Sequence, residues 1–328
     1  MSKNRSQLVR DRMRFTNEPY TRALDEIRKL NHTESLIPDA SPDQAEFEAS
    51  ILDKIGHGSP AQSSGSSSQH PFGIADCTPR KNELLLTLAP SQDCLKDFAG
   101  HVAPFAHVDT GLNGVAGLRL GFTHHGDAVL HRLHHPGKVI LRGVSRAAWN
   151  SALYAAYEDP NFVDRAYQGD AATLHSEERY SFFGYPLAHR SEHGELAVRL
   201  LSRLLRRAHA FRTRTQLRFT DLWFNLVDAG AVITVEWAGD LDHATLIARL
   251  LDRRFGLPMR PITLTHCYCE PCSTHVSSAR LVDCTIGATV LNLRRSDLYN
   301  DVLPPRRTGR CDKTTARHRE KNGESSAD

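Results

Sequence analysis

The sequence predicts an α+β fold, with a small helical N-terminal head and an internal duplication of a β-α-β-β-β-α unit. Three observations lead to this prediction. The first 55 residues show only helical periodicity. Apolar runs of strand length alternate with helical patterns after residue 81, and the same order of elements returns about 150 residues later. The length of 328 residues is enough for about two domains.

The head, residues 1–55, is predicted to hold three short helices. The clearest begins at Ser41-Pro42, where a capping side chain precedes a proline at the first helical position. Apolar residues then recur at helical spacing up to Gly56. Two amphipathic helices before it form either a DNA-reading helix-turn-helix or a surface for packing or for a protein partner.

A flexible linker is predicted at residues 56–80, because its Ser/Gly-rich first part is too polar to bury apolar surface. The head is therefore expected to be tethered to the body. At the other end, Pro304-Pro305 is followed by polar and basic residues only. Residues 304–328 are predicted to be a disordered basic tail.

The body, residues 81–303, divides into halves at 81–158 and 229–303, with a connector at 159–228. Strands are predicted at 83–88, 115–123, 128–135 and 138–143 in the first half, and at 231–237, 260–267, 280–284 and 288–293 in the second. Helices are predicted at 91–102, from Ser145, at 192–210 and at 240–255. Strand 215–227 is expected to be an extra hairpin partner. Chance agreement between two α/β segments is the alternative to duplication.

Composition favours a soluble, cytoplasmic protein. The Arg-rich start lacks the apolar region of a signal peptide, and no stretch reaches the ~20 apolar residues of a membrane-spanning helix. Seven cysteines, three of them within residues 267–272, suit a reducing compartment better than a disulfide framework. No membrane association is expected.

An arginine window between residues 196 and 220 is the strongest charge feature. It holds seven arginines and no Lys, Asp or Glu, although the formal charge of the whole chain is only +3. Either acidic residues from elsewhere in the fold neutralise these arginines, or a polyanion does, because guanidinium groups suit phosphate. A solvated basic helix face is a further alternative. The candidate anion-binding residues are Arg199, Arg203, Arg206, Arg207, Arg212, Arg214 and Arg218.

Cysteine and histidine crowd residues 266–275, where Cys269-x-x-Cys272 has the spacing of a zinc knuckle. A structural zinc bound by Cys267, Cys269, Cys272 and His275 is one hypothesis. A set of free thiols at the end of a hairpin is the other.

Residues 270–275, Glu-Pro-Cys-Ser-Thr-His, are similar to the Pro-Cys-x-x-Cys ligand helix of the cytidine and adenosine deaminase family, with His275 where that family has a second Cys. His175-Ser176-Glu177 fits the family's His-x-Glu. The resemblance implies that His175, Cys272 and His275 bind zinc and that Glu177 moves protons. Glu270 is an alternative acid or base for a zinc enzyme.

The leading hypothesis is a nonenzymatic protein that binds nucleic acid or another phosphate-rich partner through the arginine window, with a structural zinc. The first alternative is a zinc-dependent hydrolase or deaminase. The second is a protein-interaction module that binds a partner through its head. No Walker loop, G-x-G-x-x-G or G-x-S-x-G occurs, so the commonest nucleotide-binding and hydrolase motifs are missing and the question of enzymatic activity stays open.

Overall fold

A computed structural model of the chain describes thirteen stretches, and every structural statement below refers to them. They are residues 2–30, 35–56, 70–107, 111–157, 165–167, 169, 172–179, 181, 192–213, 217–227, 230–267, 276–283 and 289–296. All of them belong to one compact unit, Met1–Leu298. The predicted tail and most of the residues between 158 and 191 lie outside the described residues.

Helices and strands are mixed, and the predicted α+β class is confirmed. The helices are α1 (Ser2–Thr16), α2 (Tyr20–Lys29), α3 (Pro42–Gly56), α4 (Gln92–Val102), α5 (Arg146–Tyr157), α6 (Glu192–Leu205) and α7 (His243–Leu250). The strands are β1 (Ile74–Arg80), β2 (Glu83–Leu88), β3 (Phe105–His107), β4 (Gly111–Asn113), β5 (Leu118–Phe122), β6 (Ala128–Arg132), β7 (Lys138–Leu141), β8 (Arg165–Tyr167), β9 (Leu217–Val227), β10 (Gly230–Gly239), β11 (Met259–Cys267), β12 (Val276–Asp283) and β13 (Thr289–Ser296). Short 3₁₀ turns span Pro71–Gly73 and Ala208–Phe211.

The two five-stranded sheets share one strand order. The first runs β1-β2-β7-β6-β5 and the second β9-β10-β13-β12-β11. In each sheet the second and third strands of this order, β2 with β7 or β10 with β13, are parallel, and the chain between them contains a helix and the two remaining strands of the sheet; every other pair is antiparallel. A three-stranded sheet, β4-β3-β8, completes the strands.

The repeated unit is β-β-α-β-β-β in the described residues, which adds a strand at the start of the predicted unit. Its predicted final helix is α5 in the first half, and the corresponding place in the second half lies outside the described residues. Strand β9, predicted to be an extra hairpin partner, has a counterpart in β1, so the two units begin at Ile74 and Leu217. A shared strand order is what duplication requires. Duplication itself stays a prediction.

The predicted linker 56–80 is too long at its C-terminal end. Residues 57–69 lie outside the described residues, but 71–73 form a 3₁₀ turn and 74–80 form strand β1. The outer edge of β1 is covered: the Asn17 amide donates to the carbonyl of Ala75 at 2.7 Å, and the ring of His209 bonds the carbonyl of Ile74 at 3.0 Å.

The prediction of a tethered head is wrong for α3, which lies in the main hydrophobic core. Phe47, Ile51 and Leu52 are fully buried, and α3 packs along α6. Helix α3 also contacts β7 of the first sheet and β9 of the second, while α6 contacts β9, β10 and β13. The two helices therefore join the two sheets through one core.

Close packing fixes both ends of α3. Near its start, the Gln44 amide pairs with the backbone of Lys138, accepting from the N–H at 2.8 Å and donating to the carbonyl at 3.0 Å. At its end, a Cβ on Gly56 would lie 2.7 Å from Cβ of Leu222 on β9. Only glycine allows this approach of helix and strand.

Among the described helices, none has the length and apolar character needed to cross a membrane.

Candidate anion-binding site

The helix predicted at 192–210 ends at Leu205, before two of its four arginines. Arg199 and Arg203 lie on α6, which ends at Leu205, and Arg206 and Arg207 follow in the turn before the 3₁₀ segment 208–211. Arg212 comes directly after that segment and is exposed. Arg214 lies outside the described residues, and only the backbone of Arg218 is described, on β9.

Arg206 is a structural residue, which corrects its assignment to an anion-binding surface. Its guanidinium donates to both carboxylate oxygens of Glu48 on α3, each at 2.7 Å, and both side chains are 0% exposed. It also donates to the carbonyls of Pro38 and Arg80, while the Ser202 hydroxyl donates to Glu48 at 2.6 Å. All of these partners are internal, so Arg206 cannot reach a phosphate.

Arg203 makes a two-pronged ion pair with Asp39, which precedes α3. Nε donates to Oδ1 at 3.0 Å and Nη2 donates to Oδ2 at 2.7 Å. Burial raises the pKa of Asp39, but the hydrogen bond from Arg203 and the charges of Arg203, Arg207 and Arg206 outweigh it, and the pKa lies below its usual value. Three guanidinium charges thus act on one carboxylate.

Arg207 is buried without a bonded carboxylate. Its side chain donates to the carbonyls of Phe255 at 2.5 Å and Arg203 at 3.2 Å, and no carboxylate of the described residues makes a hydrogen bond or ion pair with it. Burial lowers its pKa to about 10, against the attraction of Asp39. The group stays charged at neutral pH, and a buried charge that lacks a bonded counter-ion is costly.

Exposed arginines are adjacent in sequence to Phe255, whose carbonyl accepts from Arg207, and to Phe15, which packs on Phe255. Arg253 and Arg254 precede Phe255 and are exposed. The ring of Phe15 stacks on that of Phe255 at 5.6 Å, which brings the end of α1 and the exposed Arg14 to the same place. Asp252 lies in the same turn, where its Oδ1 accepts from the backbone N–H groups of Arg254 and Phe255; no arginine side chain of the described residues pairs with it.

Two more arginines extend this surface along the 3₁₀ segment. Arg249 donates to the carbonyls of Ala210 at 2.9 Å and Arg212 at 2.5 Å. Arg212 donates to the neutral side chain of Asn17 at 2.8 Å. We call these residues the arginine cluster: Arg14, Arg203, Arg207, Arg212, Arg249, Arg253 and Arg254. Four carboxylates among the described residues act on this cluster. Asp11 pairs with Arg14 and Asp39 pairs with Arg203. The charge of Asp242 acts on Arg249, and Asp252 accepts from the backbone of Arg254.

Arg199 is not part of the arginine cluster, because its ion-pair partner lies on its own helix, α6. Its side chain is 53% exposed and faces Glu195, one helical turn earlier on α6, at 3.8 Å. Exposed pairs of this kind contribute little to stability. Arg199 and Glu195 therefore provide matched controls on the same helix.

Comparisons with known proteins add no identification. No family model, no curated protein and no solved structure matches this chain. Function must therefore be argued from the chemistry of the site itself.

The predicted zinc ligands lie almost entirely outside the described residues. Cys267 is the last residue of β11, where only its backbone is described, and Cys269, Cys272, His275 and the alternative base Glu270 fall in the gap before β12. Within the described stretches, no three His, Cys, Asp or Glu residues are grouped to hold a metal ion. The zinc hypothesis stays a prediction.

The alternative catalytic residue Glu177 is exposed, and so is His175. Its neighbour Glu178 is the one that the fold uses, because Glu178 accepts from the guanidinium of Arg119 at 2.9 and 2.8 Å and from two backbone N–H groups. No metal-binding group of the described residues includes His175 or Glu177. The enzyme hypothesis therefore gains no support from this segment.

Sequence analysis missed the residues that decide the site. Glu48 and Asp39 lie more than 150 positions before their arginine partners, and the local pattern gives no sign of either pairing. Arg253-Arg254 did carry a signal, since an exposed arginine pair follows the end of a short helix. Counting charged residues outside the arginine window would have drawn attention to this pair.

Proposed function

We propose that this protein binds a phosphate-rich polyanion, with nucleic acid as the leading class, through the arginine cluster at the junction of α1, the 208–211 segment and the turn after α7. The observation that carries the proposal is Arg207, a buried guanidinium bonded to two carbonyls and to no carboxylate of the described residues. Arg253 and Arg254, which precede its partner Phe255 in the chain, are exposed. Because Arg207 is only 2% exposed, an anion bound at the exposed arginines would act on its charge through space and not by direct contact.

The proposal moves the binding surface from the face of α6 to its C-terminal end. Arg206 is excluded because Glu48 neutralises it inside the core. Arg203, Arg207 and Arg212 remain from the predicted window, and Arg14, Arg249, Arg253 and Arg254 join them. Arginine suits the planar, two-pronged recognition of phosphate, and phosphate contacts make binding depend steeply on salt.

Fluorescence anisotropy with labelled single-stranded DNA, single-stranded RNA and duplex DNA, measured over a range of salt, tests the proposal. We expect binding that weakens with salt, with a logarithmic slope of roughly −0.7 to −0.9 for each phosphate contacted. Unlabelled inorganic polyphosphate in competition separates recognition of phosphate alone from recognition of nucleic acid.

The double substitution R253Q/R254Q identifies the surface. It should weaken binding and reduce the salt slope by about 1.5, if each arginine contacts one phosphate. The matched control R199Q removes an exposed arginine from α6 and should leave the slope unchanged. Equal affinities for the double variant and the wild type would contradict the proposal, as would an absence of binding at low salt.

A further inference from the structure

We propose that the carboxylate of Asp39 occupies the place at which a phosphate group of the ligand binds Arg203, so that the ligand displaces Asp39. This inference rests on the proposed function. It makes Asp39 an internal competitor that weakens binding until a phosphate takes its position.

The geometry of the Arg203–Asp39 pair is that of a ligand contact. Nε and Nη2 of Arg203 each donate to a different oxygen of Asp39, at 3.0 and 2.7 Å. The same fork of donors binds two oxygens of a phosphate. Because the Arg203 carbonyl also accepts from Arg207, the pair lies directly beside the buried guanidinium that lacks a bonded carboxylate.

Exposure distinguishes this pair from the neighbouring structural one. The side chain of Asp39 is 52% exposed, whereas Glu48, the partner of Arg206, is 0% exposed. A ligand can therefore approach Asp39 from solvent but cannot approach Glu48. Because the side chain of Asp39 is half exposed, its carboxylate can be hydrated once a phosphate replaces it, so the exchange leaves no charge buried and unpaired.

The backbone around Asp39 is anchored, so the exchange needs only a rotation of the side chain. The carbonyl of Pro38 accepts from Arg206 at 2.5 Å, and the preceding Ile37 is fully buried. After Asp39, the backbone N–H of Ser41 donates to the carbonyl of Lys81 at 2.8 Å. Displacement of Asp39 thus leaves the entry to α3 in place.

The variants D39A and D39N test the inference in the full chain, with labelled single-stranded DNA as the probe. We expect D39A to bind about tenfold more tightly than the wild type, and D39N to bind more tightly by a smaller factor, because asparagine keeps a neutral acceptor. The control E195Q removes an equally negative, 63% exposed side chain from α6 and should change affinity less than twofold. Melting temperatures should shift by less than about 4 °C.

The outcomes separate this inference from the proposed function. If the wild type binds through the arginine cluster but D39A binds no more tightly than E195Q, displacement of Asp39 is wrong and the proposed function stands. If neither the wild type nor D39A binds at low salt, both are wrong. A large fall in the melting temperature of D39A without tighter binding would make Asp39 a structural residue and overturn the inference.

Discussion

Arg206 and Arg207 are neighbours in the sequence and are both buried, yet their surroundings differ. Arg206 is 0% exposed and bonded to both oxygens of Glu48, whereas Arg207 is 2% exposed and bonded only to carbonyls among its described contacts. A bonded carboxylate, rather than the density of arginine, therefore separates a guanidinium whose charge is neutralised inside the fold from one whose charge is left to attract an anion.

The same contrast holds for the regions around them. Around Arg206, a continuous polar network runs from the backbone of Lys138 through Gln44 and Glu48 to Ser202, which links β7, α3 and α6. Around Arg207, the hydrogen-bond acceptors are carbonyl groups, and the charges that act on it are those of Asp39 and of two other arginines, Arg203 and Arg206. The first region holds the two sheets together, and the second carries excess positive charge.

The largest effect is expected from E48Q, which leaves Arg206 as a buried charge without a carboxylate. Breaking one side of a buried ion pair costs about 3–5 kcal/mol, so the free energy of unfolding in urea should fall by that amount. E195Q removes an exposed carboxylate on α6 and should change the free energy of unfolding by less than about 1 kcal/mol. Equal losses for the two variants would show that the Arg206–Glu48 pair is not the buried structural pair described above.

Gly56→Ala tests the docking of α3 onto the second sheet. The added Cβ would lie 2.7 Å from Cβ of Leu222, so helix and strand must separate, and we expect a loss of about 1–3 kcal/mol in denaturant unfolding. Gly121→Ala on β5 is the control, because the atoms nearest to a Cβ at that position would lie 3.9 Å away, at ordinary contact distance. If Gly56→Ala were no more destabilising than Gly121→Ala, close packing of α3 on β9 would be refuted.

His209 makes the second region sensitive to acid. Burial lowers its pKa to about 3, and the charges of Arg212 and His70 act in the same direction. The pKa of His70 is also lowered, by burial and by Arg212. Below pH 6.5, His209 becomes protonated in the unfolded chain but stays neutral in the folded protein. The stability that neutral His209 contributes is therefore complete above pH 6.5 and is lost as pH falls towards 3.

The measurement is the free energy of unfolding between about pH 4.5 and pH 6.5. The contribution of His209 to the slope is at most about 1.4 kcal/mol per pH unit, and His209→Gln should remove it. The remaining slope belongs to His70 and to the carboxylates. An unchanged slope in the variant would show that His209 is not buried in its neutral form.

Sequence patterns were sufficient to predict the helices and strands whose buried residues recur at a regular spacing along the chain. The strand predicted at 83–88 is β2, and the helix predicted at 91–102 is α4 from Gln92. Strand β1 was missed because Asp76 and Pro79 break the apolar pattern, and proline is tolerated there since β1 is an edge strand.

The site was harder to predict because its chemistry depends on long-range pairing. Nothing near Arg206 in the sequence indicates Glu48, and nothing near Arg207 indicates that its partners are carbonyls. The predicted helix 192–210 contained both arginines, and a solvated basic helix face was one of the alternatives, but α6 ends at Leu205 and both side chains are buried. Local periodicity does not hold beyond the end of a helix.

The substitution Arg207→Met tests whether the charge of Arg207 supports polyanion binding. Polyanion affinity and stability are measured on the same sample. The variant keeps an apolar stem and loses two bonds to carbonyls, but it also removes a buried charge that has no bonded carboxylate among the described residues. The two effects partly offset each other, so we predict a loss of only about 1 kcal/mol in unfolding free energy. Affinity for single-stranded DNA should fall about tenfold, whereas Arg199→Met should bind like the wild type. Wild-type affinity in Arg207→Met would contradict the account.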